Sequence, residues 1–114
     1  MLVKYMNSFK KIAMGLLSYM PNEKDLKHVQ QTMQSYEELE NWHLYFWKHE
    51  TDFIGVIGVK EVDQTIVVQH LALNPSYRNQ GIGKEILKNI QQLYPDKVIV
   101  PTEATGKFIR AVQK

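Results

Sequence analysis

Leu71-Ala72-Leu73-Asn74-Pro75-Ser76-Tyr77-Arg78-Asn79-Gln80-Gly81-Ile82-Gly83-Lys84 runs from a hydrophobic strand through a short glycine turn into an amphipathic helix. Gly81 and Gly83 let the backbone take positive φ and approach a ligand closely, while the amides of the next helix's first turn lack intrahelical partners. A junction of this kind is an anion cradle, and phosphate or pyrophosphate is its natural occupant.

Two better-known phosphate loops do not fit. A Walker loop ends in Gly-Lys-Ser/Thr, but Gly83-Lys84 is followed by Glu85, and Arg78 stands where its first glycine belongs. The dinucleotide fingerprint needs a third glycine where Ile86 stands. What remains is Arg78-x-x-Gly81-x-Gly83, introduced by Asn74-Pro75-x-x-Arg78, after a strand ending in Leu71-Ala72-Leu73.

This pattern resembles the acetyl-CoA motif of the GNAT family of N-acetyltransferases, whose usual form is Arg/Gln-x-x-Gly-x-Gly/Ala at a strand-to-helix junction. The resemblance is tight over residues 66–93 and looser over nearly the whole chain. The stretches from Lys11 to Lys27 and from Trp47 to Val59 resemble in particular small members encoded with riboflavin-synthesis genes in bacilli. The resemblance implies an α/β (α+β) GNAT fold, with a mixed, mostly antiparallel sheet in the order β-α-α-β-β-β-α-β-α, and acetyl-CoA as co-substrate. It also implies that two strands splay apart and that pantetheine lies between them, bonded to the backbone of Leu71, Ala72 and Leu73. Arg78 would close over the diphosphate. The amides of Asn79, Gln80, Gly81, Ile82, Gly83 and Lys84 would receive its oxygens, and the Lys84 ammonium would add charge.

Composition sets the frame for that expectation. A chain of 114 residues, 44% of them hydrophobic, can bury one core, so a single domain over residues 1–114 is expected. The chain has no cysteine, which excludes disulfides, cysteine metal sites and a cysteine nucleophile. No apolar run approaches the roughly 20 residues needed to cross a bilayer. The N-terminal region, with Lys4, Lys10 and Lys11, lacks the pattern of a secretory signal, so a cytoplasmic protein is expected. Net charge is +2, and the only arginines are Arg78 and Arg110, which is no footprint for nucleic acid.

Periodicity predicts the elements. A short strand over 1–6 precedes a helix capped by Ser8 and running to about Met20, with Phe9, Ile12, Ala13, Leu16 and Leu17 as its apolar stripe. A second helix over 23–38 turns Leu26, Val29, Met33 and Tyr36 to one side, with Glu23 and Asp25 in its acidic first turn. Residues 42–49, 53–60 and 65–73 read as an antiparallel meander. Gly55 and Gly58 are costly in a strand unless a backbone or a packed ring lies against them. Ile82, Ile86, Leu87, Ile90 and Leu93 make the stripe of the helix after the glycine turn, and Val98–Val100 reads as a short buried strand parallel to the one ending at Leu73.

Amide formation asks for a base, an oxyanion donor and an acid. The resemblance places the oxyanion donor on the backbone between Leu71 and Leu73, and a side-chain base at the positions of Val67 or Gln69, neither of which takes a proton near neutral pH. His70 is titratable, but strand parity turns it away from Val67, Gln69 and Leu71. Water chains and Glu23 stay open as alternatives, and no catalytic residue is assigned. The family's acid is a tyrosine in the final helix, and the matching run here, Thr102-x-x-Thr105-x-x-Phe108-Ile109, ends in isoleucine. His43 and His49 lie roughly 20 Å apart along a strand, too far to chelate one metal, so no metal is expected. Tyr45 and Trp47 fit a packed sheet face better than an acceptor pocket.

The resemblance implies a C-terminal β-hairpin after the final helix, and only Arg110-Ala-Val-Gln-Lys114 follows Ile109, so the hairpin is lacking unless the chain is a shortened one. Residues 98–100 would then lie at an exposed edge that a second copy of the chain could cover, making a homodimer. Two functions follow from the resemblance. One is acetyl transfer to a small amine, linked through the riboflavin-gene branch to flavin metabolism. The other is a non-catalytic CoA-binding or interaction protein built on the same scaffold.

Overall fold

The computed structural model describes residues 1–112. Nine elements follow in the expected order: β1 (Leu2–Lys4), α1 (Lys10–Leu17), α2 (Leu26–Glu38), β2 (Trp42–His49), β3 (Asp52–Val62), β4 (Thr65–Leu73), α3 (Ile82–Leu93), β5 (Val98–Pro101) and α4 (Glu103–Val112). The strands lie side by side in chain order. β1 to β4 pair antiparallel, and β4 pairs with β5 in parallel. Among the described residues no strand follows β5.

Side chains alternate between the two faces of a sheet, and each face here has its own pair of helices. Leu44, Phe46, Val56 and Ala72 pack against Ala13, Leu16 and Leu17 of α1 and Val29, Met33 and Tyr36 of α2. On the other face Ile57, Val59, Val68, Leu71 and Leu73 pack against Ile86, Leu87 and Ile90 of α3 and Ile109 of α4. Each buried Val, Leu, Ile, Phe or Met among them contributes about 1.5–3 kcal/mol by leaving water, so the stripes fix which way every helix faces. Tyr45 and Trp47 lie in the second core, as expected, with the Tyr45 hydroxyl 2.7 Å from that of Tyr94.

Both strand glycines have the close neighbours they required. A Cβ on Gly58 would fall inside the Tyr36 hydroxyl, and one on Gly55 would meet Leu73 Cδ2 at 2.7 Å and the Ala72 carbonyl oxygen at 3.0 Å.

Several local expectations are corrected. Ser8 caps nothing: residues 7–9 form a 3₁₀ turn, closed by the Phe9 amide on the Met6 carbonyl at 2.9 Å, and α1 begins at Lys10 and ends at Leu17. Glu23 is outside α2's first turn, because Pro21–Glu23 is itself a 3₁₀ turn and Asp25 is the cap, accepting from the Lys27 amide at 3.1 Å. Ile12, Leu26 and Leu93 are exposed. Leu26 and Leu93 are the terminal residues of their helices, where the axis has left the sheet. β5 lies at the sheet edge, as expected for residues 98–100, and is not the buried strand its apolar run was read as, with Val98 61% exposed.

Candidate active site

The strand-to-helix junction is built by local chemistry. The Asn74 side chain accepts from the Ser76 amide at 3.0 Å and Pro75 opens a tight turn, which the Tyr77 amide closes on the Asn74 carbonyl at 2.9 Å. Asn79 then adopts φ +64° and Gly81 φ +77°, so the chain curls before entering α3. The first bond of that helix runs from the Glu85 amide to the Gly81 carbonyl, at 3.2 Å. The amides of Ile82, Gly83 and Lys84 therefore have no intrahelical acceptor. Nothing lies within 4 Å of where a Gly81 Cβ would be, so the space before these donors is open.

A cleft of about 520 Å³ lies over this turn. Leu73, Arg78, Asn79, Gly81, Gly83 and Lys84 line it together with Ile82, and Phe108 of α4 supplies the opposite wall. The helix dipole, Arg78 and Lys84 all favour an anion here. Arg78 is already turned back to the strand, its Nη2 donating to the Leu73 carbonyl at 3.4 Å. Gln80 bonds back to the Ser76 carbonyl at 3.3 Å. Leu71 and Ala72 lie further up β4, outside the cleft lining.

β4 and β5 then part. Their pairing runs from Thr65–Val98 to Val68–Pro101 and stops, so from Gln69 to Leu73 the β5 side of β4 has no strand beside it. The Val68 carbonyl at the crotch accepts from Thr105 Oγ1 at 2.7 Å and Thr102 Oγ1 at 3.3 Å. These hydroxyls take over from the missing ladder and hold the fork open. Further along, the Leu71 amide reaches only the Met20 thioether, at 3.4 Å. Sulfur is a weak acceptor, so that donor keeps most of its capacity for another oxygen.

The geometry of β4 overturns the parity reading of His70. Gly58 pairs with His70 and the next rung joins Val59 to Val68, leaving Gln69 as an extra residue. This β-bulge turns Gln69 and His70 to the same face, that of α1 and α2, and Leu71 to the other. His70 there enters a buried polar chain. Its Nδ1 is 2.6 Å from the Tyr36 hydroxyl and its Nε2 is 2.8 Å from Glu23 Oε1. Thr32 Oγ1 donates to Glu23 at 3.0 Å, His28 Nε2 is 3.4 Å from Glu23 Oε2, and Gln69 reaches the Tyr36 hydroxyl at 3.5 Å. Burial pushes the His70 imidazole below its ordinary value, against the opposing pull of Glu23, and burial raises the Tyr36 phenol. With Nε2 carrying the proton, every bond in the chain has one donor and one acceptor. A second cavity of about 410 Å³ opens beside this chain, between α2 and the fork.

Thr32 was not named from the sequence, Tyr36 was read there only as a stripe residue, and Thr105 only as a position in the final-helix run. Gly58 was the available signal for Tyr36, because a glycine in a central strand asks which ring lies on it. Ile109, which the resemblance matched to a tyrosine, is buried in the core. Among the described residues no group of three or more His, Cys, Asp or Glu side chains is placed to hold a metal ion, and no helix is long and apolar enough to cross a membrane.

Residues 13–106 match the model of the acetyltransferase (GNAT) family. An uncharacterized N-acetyltransferase from the lysA 3′ region of Bacillus methanolicus is 53% identical over 110 residues, covering 96% of this chain and 92% of that protein. Among solved structures, a GNAT-family acetyltransferase of Bacteroides thetaiotaomicron superposes with TM-score 0.74 at 25% identity, over 99% of this chain and 69% of its own. A GNAT acetyltransferase of Elizabethkingia anophelis, solved with acetyl-CoA bound, superposes with TM-score 0.70 at 19% identity, over 99% of this chain and 72% of its own.

Proposed function

The chain belongs to the acetyltransferase (GNAT) family, and from that premise we propose that it binds acetyl-CoA in the fork between β4 and β5 and transfers the acetyl group to a small primary amine. The observation that carries this reading is the junction of an open glycine turn with an unpaired strand edge: free helix amides lie at one end and the free edge of β4 at the other. The diphosphate falls to the amides of Asn79, Gln80, Gly81, Ile82, Gly83 and Lys84, under Arg78. Pantetheine bonds along the backbone from Leu71 to Leu73 in the place a strand would take. Bound acetyl-CoA supplies an acetyl group activated as a thioester. Oxyanion stabilisation falls to the Leu71 amide, which exchanges a thioether for a developing negative oxygen and gains accordingly.

Acetyl-CoA as co-substrate puts the protein's work in the cytoplasm. Kinship with RibT, the small family member encoded with riboflavin-synthesis genes in bacilli, links it to flavin metabolism. The exposed outer side of β5 is the surface we assign to a second copy of the chain.

The experiment is calorimetric titration with acetyl-CoA, followed by thiol release over a panel of primary amines. Binding that Gly81→Asp abolishes, together with amine-dependent thiol release, supports the reading. A second reading, a CoA-binding protein without transfer, is favoured by Ile109, which stands buried where the family's acid would be. Tight binding with no thiol release on any amine would establish that second reading.

A further inference from the structure

We propose that Glu23 is the proton acceptor of the transfer reaction, held in place by His70 and Thr32. The proposal rests on the reading of the fork as an acetyl-transfer site and names the side chain that reading leaves open.

Glu23 is 1% exposed, though carboxylates are almost never fully buried unless paired. Its two oxygens are used unequally. Oε1 accepts from His70 Nε2 at 2.8 Å and from Thr32 Oγ1 at 3.0 Å. Oε2 has only longer contacts, to Thr32 at 3.3 Å and to His28 at 3.4 Å. The carboxylate lines the 410 Å³ cavity with Gln69, His70 and Thr102, and these residues form the fork's wall on the α1 and α2 side. The Leu71 amide lies one residue beyond His70. An amine entering by this cavity meets the fork from the face opposite the glycine-turn cleft, with Glu23 beside it.

Support for the carboxylate extends inward through His70 to Tyr36, whose hydroxyl sits on Gly58. The groups facing His70 are Glu23 from the turn before α2, Tyr36 and His28 from α2, and Gln69 from its own strand. Burial disfavours the charged ring against the pull of Glu23, so the imidazole stays neutral with Nε2–H aimed at Oε1. His70, Thr32 and Tyr36 are positioning residues. In the reaction the lone pair of a neutral amine forms the C–N bond to the thioester carbonyl carbon. The amine's N–H bond breaks and its proton passes to Glu23 Oε2. The C–S bond then breaks, CoA leaves as the thiolate and takes a proton from solvent, and Glu23 returns its own to solvent past half-exposed His28.

The test uses the whole chain, acetyl-CoA and a series of primary alkylamines from ethylamine to 1,5-diaminopentane, with thiol release as the signal. Glu23→Gln is expected to lower kcat about 100-fold or more, as loss of a general base does, while the acetyl-CoA Kd stays within twofold. Amine deprotonation raises both rates alike, so the ratio of the Glu23→Gln rate to the wild-type rate on the same amine should climb with pH as hydroxide replaces the lost base, a change that a merely structural role does not produce. Glu23→Asp, which keeps the charge but withdraws it by one methylene, should recover part of the rate, and His70→Gln should fall between. A Glu23→Gln protein with kcat within threefold of wild type and an unchanged pH profile overturns the proposal. So does loss of folding or of acetyl-CoA binding in both Glu23 variants, since that marks a structural carboxylate. Wild type that binds acetyl-CoA but acetylates no amine overturns both this role and transfer itself, whereas wild type that binds no acetyl-CoA overturns the cofactor reading.

Discussion

At Gly58 the chain gives up a side chain in the middle of a central strand, and the Tyr36 hydroxyl occupies the space on its way to His70 Nδ1. Gly58→Ala should therefore destabilise by about 1–3 kcal/mol through overpacking, and by clearly less in a Tyr36→Ala background, where the hydroxyl and the ring carbons that a Cβ would meet are gone; urea denaturation of the two pairs measures the difference. His70 makes a second prediction. Its folded-state value is depressed by burial, whereas in the unfolded chain it takes a proton near the ordinary value of about 6.5. Below that pH the unfolded chain binds the extra proton first, so stability should be full above it and fall as pH drops toward the folded value. The urea midpoint should drop between pH 7.5 and pH 5.5, and His70→Gln should reduce that drop. At this scale the sequence was a partial guide. Tyr36 could be read as one member of an apolar stripe, but its hydroxyl's partner lies 34 residues away and only the fold brings them together. Glu23 read as a helix-dipole residue because nothing local announces that a turn buries it.

The elements themselves were far more legible, because their order depends on short-range periodicity and turn residues. Alternation marked β2, the 3.6-residue stripe marked α3, and Gly81 with Gly83 marked the turn between β4 and α3. What periodicity could not reveal was the single extra residue at Gln69. One bulge reverses every parity assignment beyond it, and the sequence carries no glycine there to announce it. The fork above the bulge depends on α4 as much as on the strands. Thr105 donates to the Val68 carbonyl exactly where β5 stops, so Thr105→Val leaves a buried acceptor short of a donor. That change should cost about 1–3 kcal/mol, readable in thermal or urea unfolding, and a variant as stable as wild type would show that Thr102 alone caps the crotch.

Considered as a whole, the molecule is a five-stranded sheet between two helix pairs, opened along one seam. The glycine-turn cleft lies at one side of that seam and the Glu23 cavity at the other. A ligand that fills the seam binds only the folded chain, so acetyl-CoA at 100 times its Kd should add about 2.7 kcal/mol of stability, visible as a rise in Tm of several degrees that Gly81→Asp abolishes. Which backbone amides meet the co-substrate decides where the cofactor site lies, and a two-dimensional amide NMR spectrum titrated with acetyl-CoA reads them directly. The largest shifts should fall on Asn79 to Lys84 and on Leu71 and Leu73, with β1 and the far end of β3 unmoved. Shifts confined to other surfaces, or none at saturating acetyl-CoA, would rule out the fork as the acetyl-CoA site.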